Sequence, residues 1–206
     1  AKAQGLLADN PTGEVKGVRQ AQVAPKSLNA LELRRLLREV HKGGRKRDIA
    51  IVELLSNTGL RVGEVAQLTL GDIELSPRKG LVTVRSGKGA KYRQVPLNID
   101  ARRAIEEYLP IRPNTGGEHL FIGQRGNGLT PSALWRVVKK YGLRAGLTIS
   151  PHTLRHTFGT RLARSQQVDL VTVATLMGHE SLDTTALYTR PSEEDMANAV
   201  EGLAVG

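Results

Sequence analysis

One predicted helix is apolar on nearly every side, and it constrains the fold more than any other feature of the chain. Within residues 48–58, apolar side chains stand at Ile49, Ile51, Val52, Leu54 and Leu55, and Gly59 then ends the run. A helix without a polar face has to be enclosed by other elements. We therefore expect this helix to lie at the centre of the core.

Helical periodicity fills most of the remaining chain. Ser27 or Asn29 can cap a helix that runs to about Val40, and Arg61 begins another short helix. Further helical patterns cover residues 98–109, 131–145, 151–164, 168–177, 181–189 and 192–203. Only LVTVRS (81–86) and YRQVPL (92–97) alternate with period two, which predicts a hairpin with Lys88 at its tip. The fold class predicted is mainly α with a small antiparallel β-sheet (α+β).

The balance of charge indicates a polyanionic partner. Lysine and arginine number 30 against 20 acidic residues, a formal net charge of +10. Only 3% of residues are aromatic, which disfavours base-stacking modules for single strands or RNA and favours double-stranded DNA. Because cysteine is absent, thiolate catalysis is excluded. No membrane-span or signal-peptide pattern is present, so we expect a cytoplasmic location.

A basic cluster occupies the helix predicted within SPHTLRHTFGTRL, residues 150–162, where Ser150 and Pro151 suit the first positions. Helical geometry places four residues on one face: His152, Arg155, His156 and Gly159. The other side, facing the core, would carry Leu154, Phe158 and Leu162. A solvated face is the ordinary alternative. Zinc binding is a weaker one, because no glutamate follows His152 as in HExxH and no third ligand is evident.

Four further positions could act with this cluster: Arg61 after a helix break, Lys88 between glycines, His179 in a turn, and Tyr188 nine residues later. Each has an ordinary alternative, such as a local pair between Arg61 and Glu64. Together with the cluster, they supply what metal-free phosphoryl transfer at a DNA phosphodiester needs. Guanidiniums can hold the phosphate oxygens, a tyrosine can attack phosphorus, and a cationic acid can protonate the leaving oxygen.

The motifs TGLRVGEVAQL, GKGAKYRQVPL, SPHTLRHTFGTRL and LMGHESLDTTALY, in this order, resemble the tyrosine recombinase (phage integrase) family. The resemblance is strongest to its Xer-like and mobile-element members and spans about residues 26–203. It implies the catalytic-domain fold of that family, with no cofactor and no metal. Arg61 and Arg155 would then grip the scissile phosphate. Tyr188 would attack it to leave a 3′-phosphotyrosyl link, and Lys88 would protonate the departing 5′-oxygen.

The resemblance also implies roles for the histidines. His152 would assist proton transfer at the nucleophile, and His179 would hydrogen-bond the phosphate. Glu64 and His156 are expected to support the site without acting on the reacting atoms. The reverse reaction on a partner strand would exchange strands without ATP.

The family further suggests an organisation for the chain. Residues 1–26 would be the end of a missing N-terminal core-binding domain with its linker, and residues 27–206 the catalytic domain. A tail helix at 192–203 could pack on its own domain, but we expect it to dock on a neighbouring subunit in the assembled complex. We expect a homotetramer on paired DNA sites, a monomer when free, association with the nucleoid, and no membrane partner.

Other basic and polar residues are candidate DNA contacts, although each is equally well explained as a solvated side chain. By resemblance, the helix that starts at Thr130 would approach the major groove, with Ser132 and Arg136 reading bases. Candidates for phosphate contacts are Arg45, Lys46, Arg47, Lys91, Arg93, Lys139, Lys140 and Arg161. Two other functions stay open: a type IB topoisomerase-like enzyme that cuts and reseals one strand, and a DNA-binding module without chemistry.

Overall fold

The computed structural model describes residues 27–85, 92–165 and 168–178, together with Thr185. In these ranges the helices are α1 (Ala30–Lys42), α2 (Lys46–Thr58), α3 (Val62–Gln67), α4 (Ile99–Tyr108), α5 (Pro131–Arg144), α6 (Pro151–Ala163) and α7 (Leu170–Met177). The strands are β1 (Ile73–Leu75), β2 (Gly80–Arg85) and β3 (Tyr92–Pro96). Short 3-10 turns at Leu70–Asp72 and Leu109–Ile111 complete the set. The mainly α fold with a small antiparallel sheet is confirmed.

Helix α2 lies at the centre of the core, as its apolar sequence predicts. Ile51, Val52 and Leu54 have no exposed surface, and the helix contacts α1, α4, α5 and α6. The core around it is built mainly from leucine, valine, isoleucine and alanine. Its large aromatic side chains are Tyr108, Tyr141 and Phe121.

The predicted helix ends are set by local hydrogen bonds. The Asn29 side chain accepts from the Glu32 N–H at 2.9 Å, and the Glu32 carboxylate accepts from the Asn29 N–H at 2.9 Å. This capping box begins α1, which ends at Lys42, two residues beyond the expected end. Gly59, with a φ of 62°, ends α2 in the left-handed conformation that favours glycine.

The sheet contains one strand that the sequence pattern missed. The predicted strands are present as β2 and β3, which pair antiparallel with Val82 opposite Val95. Strand β1 pairs with the other edge of β2, with Ile73 opposite Val82. With only three residues, β1 is too short to show period two, and its pairing with β2 defines it.

Helix α6 is covered on two sides, which corrects the expectation of one exposed basic face. Leu154 packs in the main core, while Phe158 and Leu162 pack against Val173 and Met177 of α7 in a separate small cluster. Arg155, expected on the exposed face, is only 5% exposed. The second side of α6 is covered by α7, and a helical projection of α6 alone cannot show that another helix packs there.

Several predicted features lie outside the described residues. They are residues 1–26, the hairpin tip with Lys88 and Lys91, the helices at 181–189 (Thr185 excepted) and 192–203, and the side chains of His179 and Tyr188. Thr185 is buried. Among the described helices, none has the length and apolar character needed to cross a membrane.

Gly59→Ala should destabilise the fold more than Gly44→Ala. Both glycines have positive φ, 62° and 69°, so both replacements strain the backbone by about 1–2 kcal/mol. Only at Gly59 would the new Cβ meet a neighbour, 2.4 Å from a Phe158 ring carbon, and such overpacking costs about 1–3 kcal/mol more. Urea unfolding should therefore show a loss of about 2–5 kcal/mol for Gly59→Ala. Equal losses for the two variants would contradict the predicted clash with Phe158.

Candidate active site at the end of helix α7

The basic cluster of α6 begins at a helix N-terminus with conventional capping. The Ser150 hydroxyl accepts from the Thr153 N–H at 3.3 Å, and Pro151 occupies the first turn. This start leaves His152 exposed in the first turn and places Arg155 one turn further, where it is buried. The two residues that the sequence pairs on one face therefore differ in exposure.

Arg155 joins the ends of two other helices. Its Nη1 donates to the carbonyl of Gly59, at the end of α2, and its Nη2 donates to the carbonyl of Met177 at 2.7 Å. Met177 is the last residue of α7. A guanidinium held by carbonyls in a buried position keeps its charge and one orientation.

Arg61 reaches the same helix end from a different part of the chain. It is the N-cap residue of α3, and about half of its side chain is exposed. Its Nη2 donates to the carbonyl of Gly178 at 3.1 Å, next to the Met177 carbonyl that Arg155 holds. The structure thus brings together the two arginines that the sequence analysis assigns to the phosphate.

Arg93, a candidate phosphate contact, is a third arginine at this helix end, and its guanidinium is bonded within the fold. Its Nη1 and Nη2 donate to the two carboxylate oxygens of Glu64, each at 2.9 Å, and its Nε donates to the Leu176 carbonyl at 3.1 Å. Only 17% of the side chain is exposed. The signal was present in the sequence, because period two on β3 places Arg93 on the same face as the buried Val95.

Glu64 links two of these arginines. Its Oε2 accepts from the Arg61 N–H at 2.7 Å, and its Oε1 accepts from Arg61 Nη1 at 3.2 Å, in addition to both bonds from Arg93. Burial by itself would raise the pKa of Glu64, but the hydrogen bonds and positive charges of Arg93 and Arg61 outweigh burial and lower the pKa. The local pair of Arg61 with Glu64, considered as an alternative, exists as one part of this larger arrangement.

The electrostatic balance of the site favours an anion. Among the described residues, the hydrogen bonds at this helix end bring three guanidinium groups together with one carboxylate, and the carbonyls of Leu176, Met177 and Gly178 carry the negative end of the α7 dipole. Carbonyl dipoles orient the arginines without cancelling their charge. The region around Arg61, the most exposed of the three arginines, therefore stays positive and can attract a phosphate.

The two histidines of α6 are not equivalent. His152 is exposed, whereas His156 is partly buried, and their ring centroids are 6.5 Å apart. Burial lowers the pKa of His156, and the nearby charges of His152 and Arg155 lower it further. At neutral pH His156 is therefore uncharged, which relieves the repulsion that three charged groups on one helix would produce.

Some of the predicted DNA contacts are held by carboxylates of the fold. Lys46 pairs with Glu107, while Arg47 and Lys140 both pair with the buried Asp48. Asp48 also accepts from the Tyr141 hydroxyl at 3.1 Å; burial, and then the charge of Asp48, raises the pKa of Tyr141 to about 12. The remaining described candidates are exposed: Arg45, Ser132, Arg136, Lys139 and Arg161.

One exposed apolar residue beside the site was not anticipated from the sequence. Trp135, the only tryptophan, is 40% exposed. With Val62, which follows Arg61, and with Ser132 and Arg136, it lines an open cavity of about 340 Å³. A lone tryptophan on a helix predicted to approach DNA was the available signal.

In the part of the chain that the structure describes, no three histidine or acidic residues come together as a metal site.

Comparison with known proteins identifies the family. The model of the phage integrase family matches residues 26–195. Tyrosine recombinase XerA of Pyrococcus furiosus is 39% identical over 180 residues, which cover 86% of this chain and 61% of that protein. Tyrosine recombinase XerC of Haemophilus influenzae strain PittEE is 35% identical and covers 96% of this chain and 68% of its own. The chain spans about three fifths of the length of the XerA relatives from Pyrococcus furiosus and Thermococcus onnurineus.

Solved structures agree in fold. XerH site-specific recombinase, bound to palindromic difH substrate in a post-cleavage complex, is 30% identical with a TM-score of 0.79, covering 92% of this chain and 57% of its own. The lambda integrase dimer bound to a core site, at 21% identity and a TM-score of 0.68, shares the fold, covering 92% of this chain and 54% of that one. The family match over most of the sequence, with these relatives, shows that the chain belongs to the phage integrase family, the family of the tyrosine recombinases.

Proposed function

We propose that this chain is the catalytic part of a site-specific DNA recombinase, which cleaves and rejoins double-stranded DNA through a 3′-phosphotyrosyl intermediate. The observation that carries the proposal is the convergence of Arg61 and Arg155 on the neighbouring carbonyls of Gly178 and Met177. Two guanidiniums at one place match the two non-bridging oxygens of a phosphodiester. Family membership and the DNA-bound XerH relative support this assignment.

The proposed reaction is a pair of transesterifications. The Tyr188 oxygen attacks phosphorus and loses its proton with help from His152, while the bond to the 5′-oxygen breaks. Lys88 protonates that oxygen as it leaves. In the second half, a 5′-hydroxyl attacks the phosphotyrosyl link and Tyr188 regains its proton. One phosphodiester replaces another, so neither ATP nor a metal ion is required.

The arginines supply the electrostatic part of this mechanism. Negative charge grows on the phosphate oxygens in the transition state, and fixed guanidiniums stabilise it without having to reorganise. Arg155 is buried, so water and salt screen its charge less than that of an exposed arginine. His179 would add a hydrogen bond to the same oxygens.

The wider organisation follows from the same assignment. Residues 27–206 would form the catalytic domain, and residues 1–26 the end of a preceding core-binding domain. Exposed Ser132, Arg136 and Lys139 on α5 would face the duplex, with phosphates drawn by the net charge of +10. Strand exchange needs paired sites, so a homotetramer on DNA is the working assembly that we propose.

Tyr188→Phe should abolish formation of a covalent protein–DNA adduct. The substrates are nicked duplexes tiled across the DNA that flanks the gene, because a nick lets the 5′-hydroxyl fragment leave and traps the adduct. Denaturing gel electrophoresis measures the adduct. An absence of adduct with the unaltered protein would contradict the enzyme and favour a DNA-binding module. Supercoil relaxation without strand exchange would favour the topoisomerase-like alternative.

Arg155→Ala and His156→Ala should differ strongly in cleavage rate. Loss of Arg155 removes a positive charge that would stabilise the transition state, and should slow adduct formation by about 10²–10³-fold. His156 stays neutral near pH 7, so its loss should cost no more than about tenfold, or ~1.4 kcal/mol of activation free energy. Arg155→Lys and melting temperatures control for unfolding, because Arg155 is buried. Equal losses at saturating DNA would contradict the separate roles.

A further inference from the structure

All three guanidinium nitrogens of Arg93 make hydrogen bonds within the fold. Its guanidinium donates to both oxygens of Glu64 and to the Leu176 carbonyl, which uses three of its five N–H groups, one on each nitrogen. A phosphate could replace Glu64 as the two-oxygen partner of Nη1 and Nη2 only by displacing that carboxylate. That carboxylate stays ionised at neutral pH: burial would raise its pKa, but the hydrogen bonds and charges of Arg93 and Arg61 outweigh burial and lower the pKa from the ordinary glutamate value.

Gly178 packs directly against this guanidinium. A Cβ at Gly178 would lie 2.7 Å from Cζ and 2.7 Å from Nη1 of Arg93. The φ of Gly178 is 63°, so the chain turns here in a conformation that favours glycine. Arg93 therefore fills the space beneath the turn whose carbonyl accepts from Arg61.

Hydrogen bonds from arginine side chains help to hold the end of α7 against the rest of the fold. The apolar contacts of α7 form a small cluster, separate from the main core, in which Val173 and Met177 pack against residues of α6. One polar link from α7 to β3 and α3 runs through Arg93 and then Glu64. A second runs from Arg61, at the start of α3, to the Gly178 carbonyl. Glu64 in turn holds both the backbone N–H and the guanidinium of Arg61.

We infer that Arg93 is a positioning residue of the recombination reaction: it fixes Glu64, and through it Arg61, against the end of α7, and it does not bind DNA phosphate. The inference rests on the proposed function, since it concerns where Arg61 meets the scissile phosphate. Lysine at this position would keep the charge but lose the fork that binds two carboxylate oxygens and a carbonyl together.

Salt dependence separates a positioning residue from a phosphate contact. For Arg93→Lys and Arg93→Gln, we expect adduct formation on the tiled nicked duplexes to slow at least about tenfold at saturating DNA. Affinity for a labelled duplex, and the slope of log affinity against log salt, should stay as in the unaltered protein. A phosphate contact would instead weaken affinity and lower that slope by about one for Arg93→Gln. Arg103→Lys, on the exposed surface of α4, is the matched control.

The outcomes distinguish the two proposals. If the unaltered protein forms adduct and Arg93→Lys cleaves at the same rate, the inference about Arg93 is wrong and the proposed function stands. Weakened DNA binding with a lower salt slope in Arg93→Gln would also overturn it. If the unaltered protein forms no adduct on any duplex, the proposed function fails, and the role of Arg93 fails with it.

Gly178→Ala tests the same contact without changing charge. It should slow cleavage as Arg93→Lys does, because the added methyl group displaces the guanidinium. Gly146→Ala is a matched control, since Gly146 has a similar φ of 66° but no atom within 4 Å of the new Cβ. The double variant Gly178→Ala with Arg93→Lys should be little slower than either single variant. Fully additive losses would show that Gly178 and Arg93 act independently.

Discussion

Three arginines from three separate segments donate to the last carbonyls of helix α7, and the architecture of the site depends on this convergence. Arg93 holds the carbonyl of Leu176, Arg155 that of Met177, and Arg61 that of Gly178. Like charges gathered this closely would repel in the absence of acceptors. In the part of the chain that the structure describes, the helix dipole and the carboxylate of Glu64 offset the repulsion without neutralising the three arginines. A site that remains positive after the fold is complete is suited to a phosphate.

The core explains why these arginines can be held so firmly. Helix α2 is enclosed by four other helices, and its end at Gly59 presents the carbonyl that fixes one side of Arg155. Helix α6 packs on that core through Leu154 and carries α7 on its other side through Phe158 and Leu162. The rigid aliphatic core thereby fixes the positions of the polar side chains, which the proposed reaction would require to within a small error.

Sequence reasoning was most successful where one local interaction defines a feature. Asn29, Gly59 and Ser150 mark helix ends by capping or by left-handed backbone, and the structure confirms all three. It failed for β1, whose three residues are a strand only because β2 lies beside them. It also misjudged the exposure of Arg155, since periodicity shows which residues share a face and cannot show how many partners cover the helix.

The sequence by itself determined the mainly α fold, the central place of α2, the pair of arginines proposed for the phosphate, and the family. Each of these follows from local periodicity or from motifs that keep their order along the chain. Only the tertiary structure decided that Arg93 faces Glu64 and the end of α7, and that His156 is partly buried and neutral near Arg155. The physical reason is that burial and charge pairing depend on contacts between distant segments. Glu64 and Arg93 meet only when α3, β3 and α7 have assembled.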